Sequence, residues 1–246
     1  MARRRFFVDQ VRKGQAEITG EDAHHLTRVL RVEAGQKFEI TDNERAWLAS
    51  VETARKDLVR FNVIEEIAAG SQLPHITLYL ALIKFERFEW AVEKATELGV
   101  TRIVPVEANR SEHGLFAGAH KRAGRWQRIA RESSEQSRRL RAPEIADPIR
   151  LPEALEDHSA HRCWLDEKSG AKPLLNAFSF RNGSDPSDSA ALLIGPEGGW
   201  IDSERQDFLA AGWTAASLGP SVLRAETAVC AALAVLSQMW LTATIE

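Results

Sequence analysis

The hydrophobic pattern changes character once along the chain. Through the first 70 or so residues the apolar positions fall in short runs, RRFFV, QKFEIT, AWLASVET and LVRFNVIEEI, several of them alternating with polar residues. A period of two puts every second side chain on one face of a strand, so these runs predict half-buried β-strands. Polar or glycine-containing turns such as Ala34-Gly35 and Asp42-Asn43 separate them. In EDAHHLTRVLR, by contrast, Leu26, Val29 and Leu30 recur at helical spacing, which predicts one short helix between the first strands. A small β-barrel carrying one helix is the natural assembly. AAGSQLP, Ala68 to Pro74, then has a linker's composition.

Beyond the linker, strands alternate with helices. HITLYLALI is a continuous apolar run of the kind buried on both faces of a parallel sheet. Phe85 to Leu98 follows with Phe88, Ala91, Val92, Ala95 and Leu98 on one helical face, and Gly99 sits where a C-terminal cap belongs. TRIVPVEA predicts the next strand, and Lys121 to Arg141 a long polar helix. CWLDE, AALLIG and AASLG are further strand candidates. Ser203 to Ala211 predicts a helix opened by Ser203 with Gln206 three residues on, a capping box. Thr227 to Leu241, the most apolar run, predicts a buried helix or a subunit interface. This alternation is that of an α/β domain with a mostly parallel sheet. The expected division is 1–72 and 73–246, with Ser179 to Ser189 as a flexible surface loop.

The 246 residues and 27.4 kDa suit one large domain or two unequal ones, and 44 % apolar with 27 % charged residues excludes collagen-like, mucin-like and wholly disordered classes. Cys163 and Cys230 belong to no CxxC pair, which argues against a disulfide framework or zinc knuckle and for a reducing, cytosolic setting. No apolar stretch follows the basic start MARRRFFVDQ, and Thr227 to Leu241 falls short of the roughly 20 residues of a spanning helix, so neither export nor a membrane is expected. A net charge of -3 argues against a surface that binds nucleic acid everywhere. Yet residues 1–31 hold seven Lys/Arg against four acids, and residues 120–150 nine against four. Two such segments suit contact with phosphates over part of the surface; two solvated faces are the alternative.

Candidate chemistry lies near the end of the chain. LLIGPEGGWIDSE has the strand, Gly-rich turn, helix layout that holds nucleotide-like ligands against backbone N–H groups. It is neither GxGxxG nor a Walker A sequence. SLGPSVLRAETA repeats the layout, with Arg224 and Glu226 at the start of the final apolar helix. Arg224 is electrostatically unfavourable there, because the helix dipole prefers anions, so its guanidinium suits a functional partner; Glu226 fits equally as an ordinary first-turn acid. Two Gly-Pro turns at adjacent strand ends could enclose one ligand.

These two segments, preceded in order by KFERFEWAVEKATELGV and RWQRIARESSEQSRR, resemble the ribosomal small subunit methyltransferase E family, uridine N3 methyltransferases of the SPOUT superfamily. The resemblance spans essentially the whole chain. It implies an N-terminal PUA-like β-barrel that binds RNA over residues 1–72 and a SPOUT-type α/β methyltransferase domain with a deep trefoil knot over residues 73–246. It further implies a cytoplasmic homodimer, no metal, and S-adenosylmethionine (SAM) as cofactor. The cofactor loops correspond to Gly195, Pro196, Glu197, Gly198 and Gly199, then Leu218, Gly219, Pro220, Leu223 and Arg224. The strand end at Leu165 and Asp166 corresponds to the knot's first loop.

Uridine N3 becomes a good nucleophile only when its proton leaves, and the anion spreads onto O2 and O4, so a base and a cationic or N–H stabiliser are required. Arg224 is the candidate stabiliser and Glu226 the candidate base or base-orienter. N3 lies on the Watson–Crick edge, so the target uridine must be unpaired or flipped out. Candidate contacts to small-subunit ribosomal RNA, free or in the 30S particle, are Arg3, Arg4, Arg5, Arg28 and Arg31 with His24 and His25 on the first domain, the His pair suiting a structural role equally, together with Arg138 and Arg139, which match the family's EQ-then-Arg segment and otherwise suit an exposed helix face. Lys84, Lys94 and Glu97 match the family too, although Lys94 and Glu97 also suit a helix-surface ion pair. Trp126 and Trp200 could stack on a base or simply pack in the core. Two alternatives remain: a SPOUT methyltransferase acting on another RNA position such as a ribose 2′-hydroxyl, or a non-catalytic RNA-binding or ribosome-assembly factor.

Overall fold

The structure, a computed structural model, describes residues 4–68, 73–168, 170–178 and 188–245. Arg3, residues 69–72 of the expected linker and residues 179–187 of the expected loop lie outside the described residues. Contacts divide the chain into two compact units, Met1–Gln72 with Glu132–Ala142, and Leu73–Arg131 with Pro143–Glu246.

The first unit contains β1 (Arg5–Phe7), β2 (Gln15–Thr19), α1 (Gly20–Arg28), β3 (Lys37–Thr41), β4 (Ala46–Arg55) and β5 (Leu58–Ile67). They form a five-stranded sheet in the order β1-β3-β4-β5-β2, antiparallel except for the β1–β3 pair. The β4–β5 register shifts between Leu48 and Ala49 and again between Val51 and Thr53, and such irregularities bend and twist a strand. Phe6, Ile40, Val59 and Phe61, all fully buried, form the core with Ile18 and with Leu26 of α1. The sequence pattern did not isolate β2, whose inward positions are only Ala16 and Ile18.

Residues Glu132–Ala142 also belong to this unit. The long helix expected over Lys121 to Arg141 spans only Ala123–Gln136. It ends because Arg138 takes a left-handed conformation, φ 56°, and the Arg139 N–H turns back to the Ser134 carbonyl at 2.9 Å, the closure of a Schellman motif. The following residues then run along β3: the Thr41 hydroxyl donates to the Leu140 carbonyl at 3.1 Å, and Arg138 reaches Glu39 at 3.4 Å.

In the second unit the chain runs through β6 (His75–Ala81), α2 (Phe85–Glu97), β7 (Arg102–Glu107), α3 (Leu115–His120), α4 (Ala123–Gln136), β8 (Glu144–Ile145), β9 (Ile149–Arg150), α5 (Leu151–Ala154), β10 (His161–Leu165), β11 (Lys172–Pro173), β12 (Ser189–Ile194), α6 (Asp202–Ala210), β13 (Thr214–Ser217) and α7 (Ala225–Ile245). The sheet order is β11-β13-β10-β12-β6-β7-β8, with β9 also on β7, and every pairing is parallel. Both faces are covered, as a parallel sheet requires. Ile76, Leu78 and Leu80 of β6 and Leu192 and Ile194 of β12 face a core shared with Phe88, Trp126, Val229 and Leu233. Tyr79, Ala81, Ala191 and Leu193, one residue out of phase, face another core holding Trp164, Trp200, Phe208 and Trp213.

Packing decides some expectations and corrects others. Trp126 and Trp200 are 0 % and 1 % exposed, so neither offers a free face for stacking on a base. α6 begins at Asp202 without the Ser203–Gln206 box; instead Glu204 accepts the Ile201 N–H at 2.9 Å and that of Asn109 at 2.8 Å. α7 has 21 residues, so by length and composition it could cross a membrane, contrary to the shorter run expected. A core helix passes the same test, and here Val229, Ala232, Leu233 and Leu236 are fully buried. Cys163 and Cys230 are both free thiols.

Candidate active site

Because the strands of the second sheet all run the same way, their carboxyl ends share one edge, where ligands bind in open α/β sheets. β13, β10 and β12 are neighbours, and the loops that leave them line one cavity of about 170 Å3. Of the expected cofactor residues, Leu165, Gly195, Pro196, Glu197, Gly198, Gly199, Leu218, Gly219 and Leu223 all line it. Pro220 does not, although its neighbours Gly219 and Ser221 do. Sequence reasoning missed Glu167 of the lining, and gave Ile194, Ser217, Ser221, Val222, Ala225 and Ala228 no role although they stand inside the two quoted motifs.

Two glycines of the wall are required, Gly195 by the ring that lies against it and Gly199 by its backbone conformation. A Cβ at Gly195 would sit 2.9 Å from the Trp200 indole, whose Nε1 donates to the Leu165 carbonyl at 3.0 Å. At Gly199 φ is +67°, and a Cβ would sit 2.6 Å from Glu167 Oε1. Both substitutions would therefore disturb the cavity wall. The Gly198 carbonyl accepts from Arg110 Nη1 at 2.6 Å. In the loop after β10, Asp166 takes two hydrogen bonds from Arg205, each 2.9 Å. Burial pushes the Asp166 carboxyl up, but the Arg205 hydrogen bonds, the Lys168 backbone N–H and the guanidinium charge outweigh it and hold the group below its ordinary value.

Arg224 and Glu226 stand where the third loop enters α7, in different surroundings. Arg224 is exposed, and its side chain makes no hydrogen bond or ion pair among the described residues. The Glu226 side chain is 13 % exposed; Oε1 lies 3.9 Å from Arg87 Nε, and Oε2 is buried without a hydrogen-bond partner. Arg87 also pairs with Glu197 of the Gly-rich loop, so one α2 side chain links a cavity loop to the first turn of α7. Nothing in the spacing of KFERFEW singles Arg87 out, since both its partners are distant in sequence.

Residues 71–237 match the RNA methyltransferase domain family, and residues 18–64 match the RNA methyltransferase PUA domain family. Ribosomal RNA small subunit methyltransferase E of Bacillus subtilis (strain 168) is 33 % identical over 246 residues, covering 95 % of either chain. The protein of the same name from Synechocystis is 32 % identical over 92 % of this chain and 74 % of its own. The chain belongs to the ribosomal RNA small subunit methyltransferase E family. The crystal structure of such an enzyme from Neisseria gonorrhoeae, bound to S-adenosyl methionine, matches with a TM-score of 0.85 at 28 % identity, covering 97 % of this chain and 98 % of that one. The five-stranded first unit is thus the family's PUA-like fold, and the parallel α/β unit its methyltransferase fold.

The RNA candidates of this methyltransferase E family member fall into two groups. Arg28 and Arg31 are exposed, Arg4 and His25 half-exposed, and the Arg138 side chain is 51 % exposed. Arg5 is corrected: it is 7 % exposed and pairs with Glu39 at 2.9 Å, so its charge is spent inside the unit. Arg139 is half-buried, and the loss of solvent lowers its guanidinium to about 10, so it is no simple surface cation. Lys94 bonds Glu97 at 2.9 Å and Glu93 at 2.7 Å, the surface pairing open to it from the sequence.

Proposed function

We propose that this chain transfers a methyl group from S-adenosylmethionine to N3 of a uridine in small-subunit ribosomal RNA. The observation that carries the reading is the three-loop cleft at the carboxyl ends of β10, β12 and β13, lined by ten of the twelve residues that match the cofactor loops, Pro220 and Arg224 excepted. The cleft suits that cofactor. Gly195 and Gly199 stand where any side chain would intrude, and the charged groups on the lining, Asp166, Glu167 and Glu197, are all acidic. Each is paired with an arginine that is not on the lining, Arg205 or Arg87, so they offer the ligand carboxylate oxygens as hydrogen-bond acceptors rather than free negative charge.

Residues Gly195–Gly199, Leu218, Gly219 and Leu223 would hold the cofactor, with Leu165 beneath them; Pro220 would shape its turn from outside. When bound, the cofactor would supply an electrophilic methyl on its sulfonium sulfur, and the neutral thioether would leave as the new N3–carbon bond forms in line. The chain's own residues must then orient the uridine, remove the N3 proton and stabilise the negative charge on O2 and O4. Arg224, exposed and without a side-chain partner among the described residues, is the stabiliser. Glu226 is the base or its orienter, because Oε2 remains without a partner while Arg87 holds Oε1. Residues 1–72 serve as the RNA-binding domain and 73–246 as the knotted methyltransferase domain. Arg4, His25, Arg28, Arg31 and Arg138 bind phosphates of the rRNA or 30S particle, and Arg3 is assigned the same role. The protein works in the cytoplasm as a homodimer, with α7 at the subunit interface.

The test is transfer of labelled methyl from SAM to small ribosomal subunits lacking their native modifications, followed by nucleoside identification. N3-methyluridine is expected, and Arg224→Ala should lower turnover at least about 100-fold while leaving SAM affinity unchanged. A ribose-methylated product would move the activity to another RNA position. SAM binding without transfer would point to another RNA, and the absence of both to an assembly factor.

A further inference from the structure

Arg205, in α6, is not on the cleft lining, yet it holds two of the three cleft loops. Its Nε and Nη2 reach the two carboxylate oxygens of Asp166, Nη2 also donates to Glu167 Oε1 at 3.0 Å, and Nη1 donates to the Trp200 carbonyl. The Arg205 side chain is 11 % exposed and that of Asp166 7 %. A planar guanidinium engaged on several edges fixes the relative placement of its partners, as a lysine cannot. Asp166 Oδ1 also accepts the Lys168 backbone N–H at 3.2 Å, so the same carboxylate pins its own turn. Such buried ion pairs add little to fold stability, because desolvation offsets most of the Coulombic gain, whereas they define geometry well.

The consequence falls on Glu167. Its Oε1 is tied to Arg205 and packed against Gly199, while the side chain stays 40 % exposed on the cleft lining. We propose that Arg205 is the positioning residue of the cofactor cleft: it sets the loop after β10 against the Gly-rich loop after β12 and aims Glu167 at a hydrogen-bond donor of the bound cofactor, a ribose hydroxyl or the ammonium. This rests on the cofactor reading given above. Glu167 contacts the ligand; Arg205 acts through it.

The experiment uses the full chain, calorimetric titration with SAM, and methyl transfer to small subunits as a function of SAM concentration. Arg205→Met should weaken SAM binding and raise KM for SAM at least about tenfold, with kcat at saturating SAM within about threefold of the parent, as expected when ground-state and transition-state binding fall together. Arg205→Lys should recover part of the loss. Glu167→Gln, which removes a charge from a half-exposed position, should weaken SAM binding about three- to tenfold at an unchanged Tm. SAM affinity within about twofold of the parent in folded Arg205→Met would overturn the assignment; if that variant fails to fold, the same result in Glu167→Gln overturns it. A parent protein that binds no SAM would sink the cofactor reading itself, and this assignment with it.

Discussion

Arg138 occupies a backbone conformation that ordinarily belongs to glycine. Among the described residues, four non-glycine positions have positive φ, and three of them are basic: Lys13 at 48°, Arg31 at 52° and Arg138 at 56°. A Cβ in this region costs about 1 kcal/mol, and such strain gathers where function over-determines the residue. Arg138→Gly should therefore leave stability unchanged or raise it by up to about 1 kcal/mol, since the ion pair lost to Glu39 is half-exposed and weak. RNA affinity should fall in the same variant. Urea unfolding and filter binding measure the two, and a variant less stable yet equally tight on RNA would remove Arg138 from the RNA face. Other residues show why part of the site was legible in sequence. Gly195 and Gly199 announce special backbone, a close approach to an indole at the first and a left-handed turn at the second, which other residues tolerate poorly. Arg205 announces nothing, because its partner Asp166 lies 39 positions away and only folding joins them.

At the scale of elements, strong periodicity was readable and weak periodicity was not. β5, β6, α2 and β12 were recovered almost to their ends, because each carries enough apolar residues to bury a whole face. β8, β9 and β11, of two residues each, have no period to read and exist only by pairing with a neighbouring strand. α6 was placed to within one residue at each end but its cap was misassigned: Glu204 Oε2 accepts the Ile201 N–H, a local contact, while its Oε1 accepts the Asn109 N–H, which no local rule reaches. α6 also carries the tie to Asp166, which has a consequence for acid stability. Since the folded state holds the Asp166 carboxyl below its ordinary value, its contribution is full above the unfolded value of about 4 and is lost as pH falls through the folded one. The stability difference between the parent and Asp166→Asn should thus be constant from pH 7 to about pH 5 and shrink below about pH 4 in urea melts. A difference that persists undiminished at pH 3 would show that the carboxylate charge contributes nothing.

For the whole molecule, the charge distribution decides how RNA is met. A net charge of -3 supplies no general attraction to phosphate, so affinity must come from local cations whose charge is not already spent. Counting basic residues in sequence overstates that supply, because Arg5 is consumed by Glu39 and Arg139 is half-buried. Arg28 and Arg31, both exposed in the first unit, are the clearest remaining candidates. Each phosphate they neutralise releases condensed counterions, which makes binding fall with salt in proportion to the number of contacts. The double variant Arg28→Ala with Arg31→Ala should bind small-subunit rRNA more weakly, with the slope of log K against log salt reduced by about 1.4 to 1.8. SAM affinity should not change, because neither residue lines the cleft. Arg5→Ala provides the contrast: it should lower the melting temperature, by leaving a largely buried Glu39 with a weaker partner, while the salt slope stays that of the parent. An unchanged slope in the double variant would place the phosphate contacts elsewhere on the surface and leave Arg28 and Arg31 as solvated charges.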